Sequence, residues 1–348
     1  MAMMNFELSP DLLLKAASLR TALTGRAAET DRLHRLPDST ISDLMSSGLL
    51  SALVPEHYGG ADLPFSEYAK AIIELGKADG SVAWTCALLS FGTWGVSRFF
   101  AKAVQDEVFG SKNSLTAAVM SPSIIKARKV DGGLLVEQGR WTFNSGVHHA
   151  GWNLIGIPLL DPDRQAVEPL LALVSIDHLQ VVDDWHPIGL RGTGSCSVCA
   201  ENVFIPNDRY IPLLKALADG SASKEVGPAA PKGLPFVPAA MVNIALPLIG
   251  VAVGAVEEFL SNAADRQIPM TFYRSQKDAA VTHLQAAEAD VKVETAQLIV
   301  EQCGRALDAA SASLGPLSLQ QKARLWRNTS FACRLAWEAV DLVADASG

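Results

Sequence analysis

The sequence is poor in positive charge and in cysteine, and it has none of the short motifs that hold phosphate or a catalytic metal. Lys and Arg total 29 against 37 Asp and Glu, for a formal charge of -8, and no Lys/Arg run is long enough to track a phosphate backbone. That composition excludes nucleic acid as a partner. The five cysteines, Cys86, Cys196, Cys199, Cys303 and Cys333, are odd in number and scattered, which argues against a disulfide framework. Only Cys196 and Cys199 have motif spacing. They lead into the extended-looking SVCAENVFIP, where residues three apart face opposite ways, so two ordinary thiols are expected rather than a metal or redox pair. The chain contains no GxxxxGK followed by Ser or Thr, no GxGxxG after a strand, no HExxH and no GxSxG. RGTGS at Arg191 to Ser195 lacks the Lys of a phosphate loop, and its glycines serve a tight backbone turn. The seven histidines form no set with metal spacing, so no metal site is expected. MAMMNFELSPDLLLKAASLR has no charged leader followed by an uninterrupted apolar core, which places the expected location in the cytoplasm.

What is present is apolar. Residues of that kind make up 49% of the chain and charged ones 19%, enough for a deep interior and, at 348 residues, for two or three domains. From Pro10 to about Gly110 the apolar positions recur at helical spacing, as in Leu12, Leu13, Leu14 and Leu19, and again in Tyr68, Ile72, Ile73 and Leu75. PEHYGGADLPFSEY is a turn-rich connector between helices. Around Leu115 the pattern shifts to short alternating runs broken by DGG at 131–133, DPD at 161–163 and PND at 206–208, which are strand and turn signals. LADGSASKEVGPAAPKGLP then reads as a loop, and helical periodicity returns after it. The expected organisation is a helical domain over 1–114, a β-domain over 115–215 and a helical bundle over 216–348. Phe236 to Val256 is twenty-one residues without a charge and carries Gly250-xxx-Gly254, which meets the length rule for a membrane span. Pro238, Asn243 and Pro247 interrupt it and an interfacial Trp/Tyr belt is lacking, so a buried central helix of a soluble, self-associating bundle is expected, with no membrane.

One strip concentrates unusual residues: GRWTFNSGVHHAGW, Gly139 to Trp152. Its two adjacent histidines, if extended, point to opposite faces. This strip, followed by DDWHPIGLRGTGSCSVCAENVFIP and preceded by VPEHYGG, ADGSVAW and KARKVDGG, resembles the acyl-CoA dehydrogenase superfamily, and within it the branch of flavin-dependent, two-component monooxygenases. The resemblance spans about Leu49 to the end. It implies an α+β fold of acyl-CoA dehydrogenase type: an N-terminal helical domain, a middle β-barrel domain and a C-terminal helical bundle.

The resemblance also implies a chemistry. A reduced flavin, FMNH2 or FADH2, comes from a separate NAD(P)H-dependent flavin reductase, and one oxygen atom of O2 passes by way of a flavin hydroperoxide to a small aromatic or heteroaromatic substrate. The strand of the strip would then pass beside the flavin ring, with Trp141 and Phe143 packed on it and Ser145 near its N5 as the first catalytic residue. His149 would face substrate as a second catalytic group, since imidazole suits proton transfer near neutral pH. Ser121, Trp185 and Arg274 fall where the family places flavin or subunit contacts, and Phe91 and Trp94 where it places the substrate pocket. A homotetramer is the family's usual assembly. Two departures are visible: LLSFGTWGVSRFF lacks the histidine that the hydroxylases carry on the pocket helix, and the family continues beyond a point like Gly348. The alternatives are an acyl-CoA dehydrogenase-type FAD oxidoreductase, which needs a Glu as base, and a noncatalytic flavin-fold binding protein.

Overall fold

The structure is a computed structural model that describes residues 12–161, 166–214, 217, 233–313 and 317–347. Most of the 217–235 loop, the end of the DPD turn and the first eleven residues lie outside the described residues. Five helices come first: α1 (Leu12–Leu33), α2 (Asp38–Ser46), α3 (Phe65–Ala78), α4 (Gly80–Phe99) and α5 (Lys102–Gly110). Eight strands follow: β1 (Thr116–Val119), β2 (Pro122–Val130), β3 (Gly133–Trp141), β4 (Trp152–Asp161), β5 (Ala166–Ser175), β6 (Gln180–Val182), β7 (Ser197–Pro206) and β8 (Tyr210–Pro212). The chain then returns to helices α6 (Phe236–Asn262), α7 (Ala280–Ala312) and α8 (Leu319–Ser347).

The β-domain is two four-stranded sheets, ordered β1-β4-β5-β8 and β2-β3-β7-β6. Only β1–β4 is parallel among the described pairs; the others are antiparallel, and of these β2–β3 and β4–β5 are joined by short connections. Gly156 on β4 is what lets the chain step from one sheet to the other between β1 and β2, because a Cβ there would meet the Met120 carbonyl oxygen at 1.7 Å.

Helix α6 is continuous through the prolines that the sequence suggested would interrupt it. Pro238 falls in the first turn, where its missing N–H is an orphan in any helix, and Pro247 withholds the N–H that would bond the Asn243 carbonyl. Asn243 is instead fixed through its side chain: its amide nitrogen donates to the Ala87 carbonyl at 3.0 Å, and its amide oxygen accepts from Tyr68 Oη at 2.9 Å. This buried polar lock ties α6 to α3 and α4, and it accounts for a polar residue inside a charge-free run. The backbones of α3 and α6 touch at Gly76 and Gly250, where a Cβ on Gly250 would sit 2.3 Å from the Ile73 carbonyl oxygen.

Gly250→Ala is therefore expected to lower stability by about 1–3 kcal/mol, the cost of overpacking a well-filled contact. Gly25→Ala, on α1 with nothing within 4 Å of the new Cβ, is expected to be neutral or slightly stabilising. Urea unfolding of both variants checks this; an unchanged midpoint for Gly250→Ala would show that α3 and α6 can move apart.

Candidate functional site

Helix α4 sets the site from one side. Its start is fixed by Asp79, whose carboxylate accepts from the backbone N–H groups of Ser81 at 2.7 Å and Val82 at 3.1 Å. Three turns on, Gly92 lets the helix rest on β1, since a Cβ there would meet the Thr116 carbonyl oxygen at 2.2 Å, and Thr116 N donates to Thr93 Oγ1 at 3.0 Å. Gly146, at φ 73°, lies against the same helix, with its missing Cβ only 2.9 Å from Leu89. The strip after β3 is thus pressed onto α4. It is also clamped to the 193–196 loop, by Gly146 N to Thr193 O at 2.8 Å and Asn144 N to Cys196 O at 3.3 Å.

The two aromatics of the strip go separate ways. Trp141 is fully buried, and its indole N–H donates to the Gly156 carbonyl at 2.8 Å, so it packs between the sheets and offers no face to a ligand; this corrects the expectation that it lines the flavin. Phe143 adopts φ 64°, a left-handed conformation that is rare for a bulky residue, and its ring is 72% exposed. Trp185 stands edge-on to it at 6.1 Å, held by its indole N–H donating to the Arg191 carbonyl at 3.1 Å. Phe143 lines an open cavity of about 530 Å³ together with Thr142 and the stretch 118–123, which includes Ser121.

Ser145, two residues beyond Phe143 in the chain, is 5% exposed. Its Oγ accepts from the Trp84 indole N–H at 3.1 Å and lies 2.7 Å from Ser195 Oγ, which lies 2.7 Å from Thr193 Oγ1, which donates to the Leu190 carbonyl at 2.9 Å. Trp84 and Ser195 were not singled out by the sequence reading. A signal for Trp84 existed, because a partly buried indole N–H seeks an acceptor; the RGTGS serine carried none beyond its turn.

The histidines are not extended. Val147 to His149 form a 3-10 turn, so the two imidazoles diverge by helical rotation and not by strand alternation. His148 Nε2 lies 3.3 Å from Cys196 Sγ. Cys199 Sγ instead meets Arg140 at 4.0 Å, and both thiols are free, so the pair does not converge. The His149 side chain is 7% exposed and turned to the start of α2, with Nδ1 4.0 Å from Asp38 and Nε2 buried without a partner among the described residues. Burial, with the neighbouring His148 as a second cause, pushes the His149 imidazole down to about 4, so it is neutral at pH 7.

A further expectation is corrected. Phe91 and Trp94 pack on each other at 4.9 Å, and Phe236, the first residue of α6, fills the space beside them at 5.2 and 6.2 Å, so the pocket they were expected to line is occupied by the chain itself. Arg274 is exposed on the connector between α6 and α7, and no hydrogen bond or ion pair among the described residues joins it to the strip.

A reduced flavin fits this geometry. The cavity has the volume of a ligand cleft and mixes hydroxyls with apolar surface. Phe143 and Trp185 offer an uncovered aromatic corner, and Ser145 keeps one lone pair without a partner among the described residues.

Comparison with known proteins agrees. The model of the acyl-CoA dehydrogenase N-terminal domain matches residues 16–110 and that of the C-terminal domain residues 242–348. A pigment production hydroxylase of Rhodococcus sp. is 32% identical over 74% of this chain and 66% of its own. The oxygenase subunit HsaA of a flavin-dependent monooxygenase from Mycobacterium tuberculosis is 28% identical over 95% of this chain and 83% of its own. Among solved structures, XiaF from Streptomyces sp., in complex with FADH2 and glycerol, superposes with a TM-score of 0.89 at 25% identity, over 97% of this chain and 84% of that one.

The neutral His149 has a consequence for stability. Its folded value lies below the 6.5 of the free group, so the unfolded chain takes up the proton first as pH falls, and folding loses up to about 3 kcal/mol between pH 6.5 and 4 from this residue. Above pH 6.5 the contribution is constant. His149→Gln should show a shallower loss of urea midpoint over that interval than the parent protein; parallel curves would mean that His149 protonates without penalty.

Proposed function

The chain belongs to the acyl-CoA dehydrogenase family, and on that premise we propose that it is the oxygenase component of a two-component flavin monooxygenase. It takes reduced flavin, FMNH2 or FADH2, from a separate NAD(P)H-dependent reductase and inserts one oxygen atom of O2 into a small aromatic or heteroaromatic substrate. The observation that carries this reading is Ser145, a nearly buried hydroxyl with one lone pair without a partner among the described residues, two residues along the chain from Phe143, which with Ser121 lines an open cavity. Reduced flavin bound there would supply the electrons that activate O2.

The residues of this chain do the rest. Ser145 would hold a reduced flavin bound there by accepting a hydrogen bond from its N5–H, which would keep that proton on the nitrogen. Phe143 and Trp185, an edge-on aromatic pair, would pack against the ring and exclude water from it.

The dehydrogenase alternative needs a free carboxylate as base. The first acid on α6 is Glu257, and although burial works to raise it, Arg20 and Lys77 pair with it and hold its carboxyl below the usual range. Such a group is ill suited to remove a proton from carbon. Self-association into a homotetramer is part of the proposal: Trp326 and Trp337, eleven residues apart and so on one side of α8, are 54% and 66% exposed and offer an apolar stripe that a further copy would cover. The reading places the protein in the cytoplasm, where a soluble reductase can supply it.

Ser145→Ala tests the reading. Folding should survive, because the lost hydroxyl is worth about 1 kcal/mol of net hydrogen bonding. With reduced flavin and O2 supplied, hydroxylated product per flavin oxidised should fall roughly tenfold, the kinetic equivalent of one such bond, and hydrogen peroxide should rise in step. Unchanged coupling would return Ser145 to a structural role. The parent protein alone should not oxidise NADH; turnover without a reductase would end the two-component reading.

A further inference from the structure

We infer that the relay Trp84–Ser145–Ser195–Thr193 leaves Ser145 a hydrogen-bond acceptor for a flavin bound beside it, so that Ser195 and Thr193 set the site's preference for reduced over oxidised flavin. The inference rests on the placing of flavin beside Ser145 proposed above.

Counting protons gives the direction. A hydroxyl has one proton and two lone pairs, a carbonyl accepts only, and an indole N–H donates only. Thr193 donates to the Leu190 carbonyl at 2.9 Å, so its proton is committed and it must accept from Ser195 at 2.7 Å. Ser195 has then used its proton, so it must accept from Ser145 at 2.7 Å. Ser145 has therefore lost its own proton to Ser195 as a donor, and the Trp84 N–H fills one of its lone pairs at 3.1 Å. One lone pair remains, and donating outward strengthens it as an acceptor.

The two redox states of flavin differ at the atom that would meet this lone pair. Reduced flavin carries N–H at N5, whereas oxidised flavin carries a bare lone pair. An ordinary serine could rotate its hydroxyl to suit either. Ser145 cannot do so freely, because donating toward N5 would break its bond to Ser195, whose proton is committed to Thr193, and would leave the two serine oxygens facing each other lone pair to lone pair at 2.7 Å. Selectivity thus comes from residues one and two links behind Ser145. Ser195 and Thr193 act through Ser145 and are positioning residues.

Equilibrium titration tests this without turnover. FMN and FAD, each oxidised in air and reduced under anaerobic conditions, are titrated onto the parent protein and its variants, and the ratio of oxidised to reduced Kd is read. The parent should favour the reduced form. Ser195→Ala frees the Ser145 proton to turn toward a bare N5, so the ratio should drop roughly tenfold, mostly through tighter binding of oxidised flavin. Thr193→Val, nearly isosteric, should move it the same way by allowing Ser195 to reverse, and it serves if Ser195→Ala does not fold. Ser195→Thr keeps the relay and should keep the ratio. Phe143→Ala should weaken both forms alike, as loss of cavity wall does. If the parent favours reduced flavin and the ratio is unmoved in both Ser195→Ala and Thr193→Val, the relay is refuted while the site reading stands. A parent that binds the two forms equally refutes the relay, and a parent that binds neither refutes both.

Discussion

The seating of α4 on β1 is the contact on which the site depends. Gly92 removes the side chain that would hold helix and strand apart, and Thr93 accepts the β1 backbone N–H, so the approach is fixed in both distance and rotation. Trp84 lies eight residues earlier on the same rigid helix, about 12 Å along its axis. Its position over Ser145 follows from that seating together with the Asp79 cap that fixes where the helix starts. The glycine at 146 is the complementary concession from the strip. Removing either glycine's freedom would separate the indole from the serine without touching a residue of the cavity.

A second layer holds α4 from behind. Asn243 and Tyr68 converge on the Ala87 carbonyl, midway between Trp84 and Gly92, and the glycine contact of α3 with α6 keeps those partners in reach. A polar group in so apolar an interior is tolerable only when its bonds are made, and here both atoms of the amide are used. The lock therefore discriminates among helix registers more strongly than the surrounding leucines and valines could.

The order of helices, strands and helices was legible because periodicity reports burial, and burial follows the elements. The strip was legible as a functional segment through its resemblance, but its side-chain directions were not. Alternation would put Trp141 and Phe143 on one face, as residues two apart in a strand. The strand ends at Trp141, however, and Phe143 takes a left-handed conformation, which reverses its direction and sends one ring into the core and the other into the open. A bulky residue at positive φ has no sequence signature. The filling of the Phe91–Trp94 pocket by Phe236 was illegible for a different reason, since it joins residues more than 140 positions apart and only the packed fold brings them together. His149 was read as a titrating group from its intrinsic chemistry, and burial against the start of α2 overrode that chemistry.

Ser195 shows how a residue can be present in a quoted motif and still escape notice. RGTGS was read for its glycines, and Gly194 does adopt φ 53°. That turn has a second effect: it places Thr193 and Ser195 on one side of the loop, close enough for their hydroxyls to bond at 2.7 Å, and aims the pair at Ser145 fifty residues earlier. Each of these hydroxyls alone would be a common surface or turn group. Joined in series with a donor-only indole at one end and an acceptor-only carbonyl at the other, they lose the freedom to reverse. Direction in such a chain is a property of its ends, so the polarity that Ser145 would show a bound flavin is decided at Trp84 and Leu190, neither of which contributes a polar side-chain atom to the cavity itself.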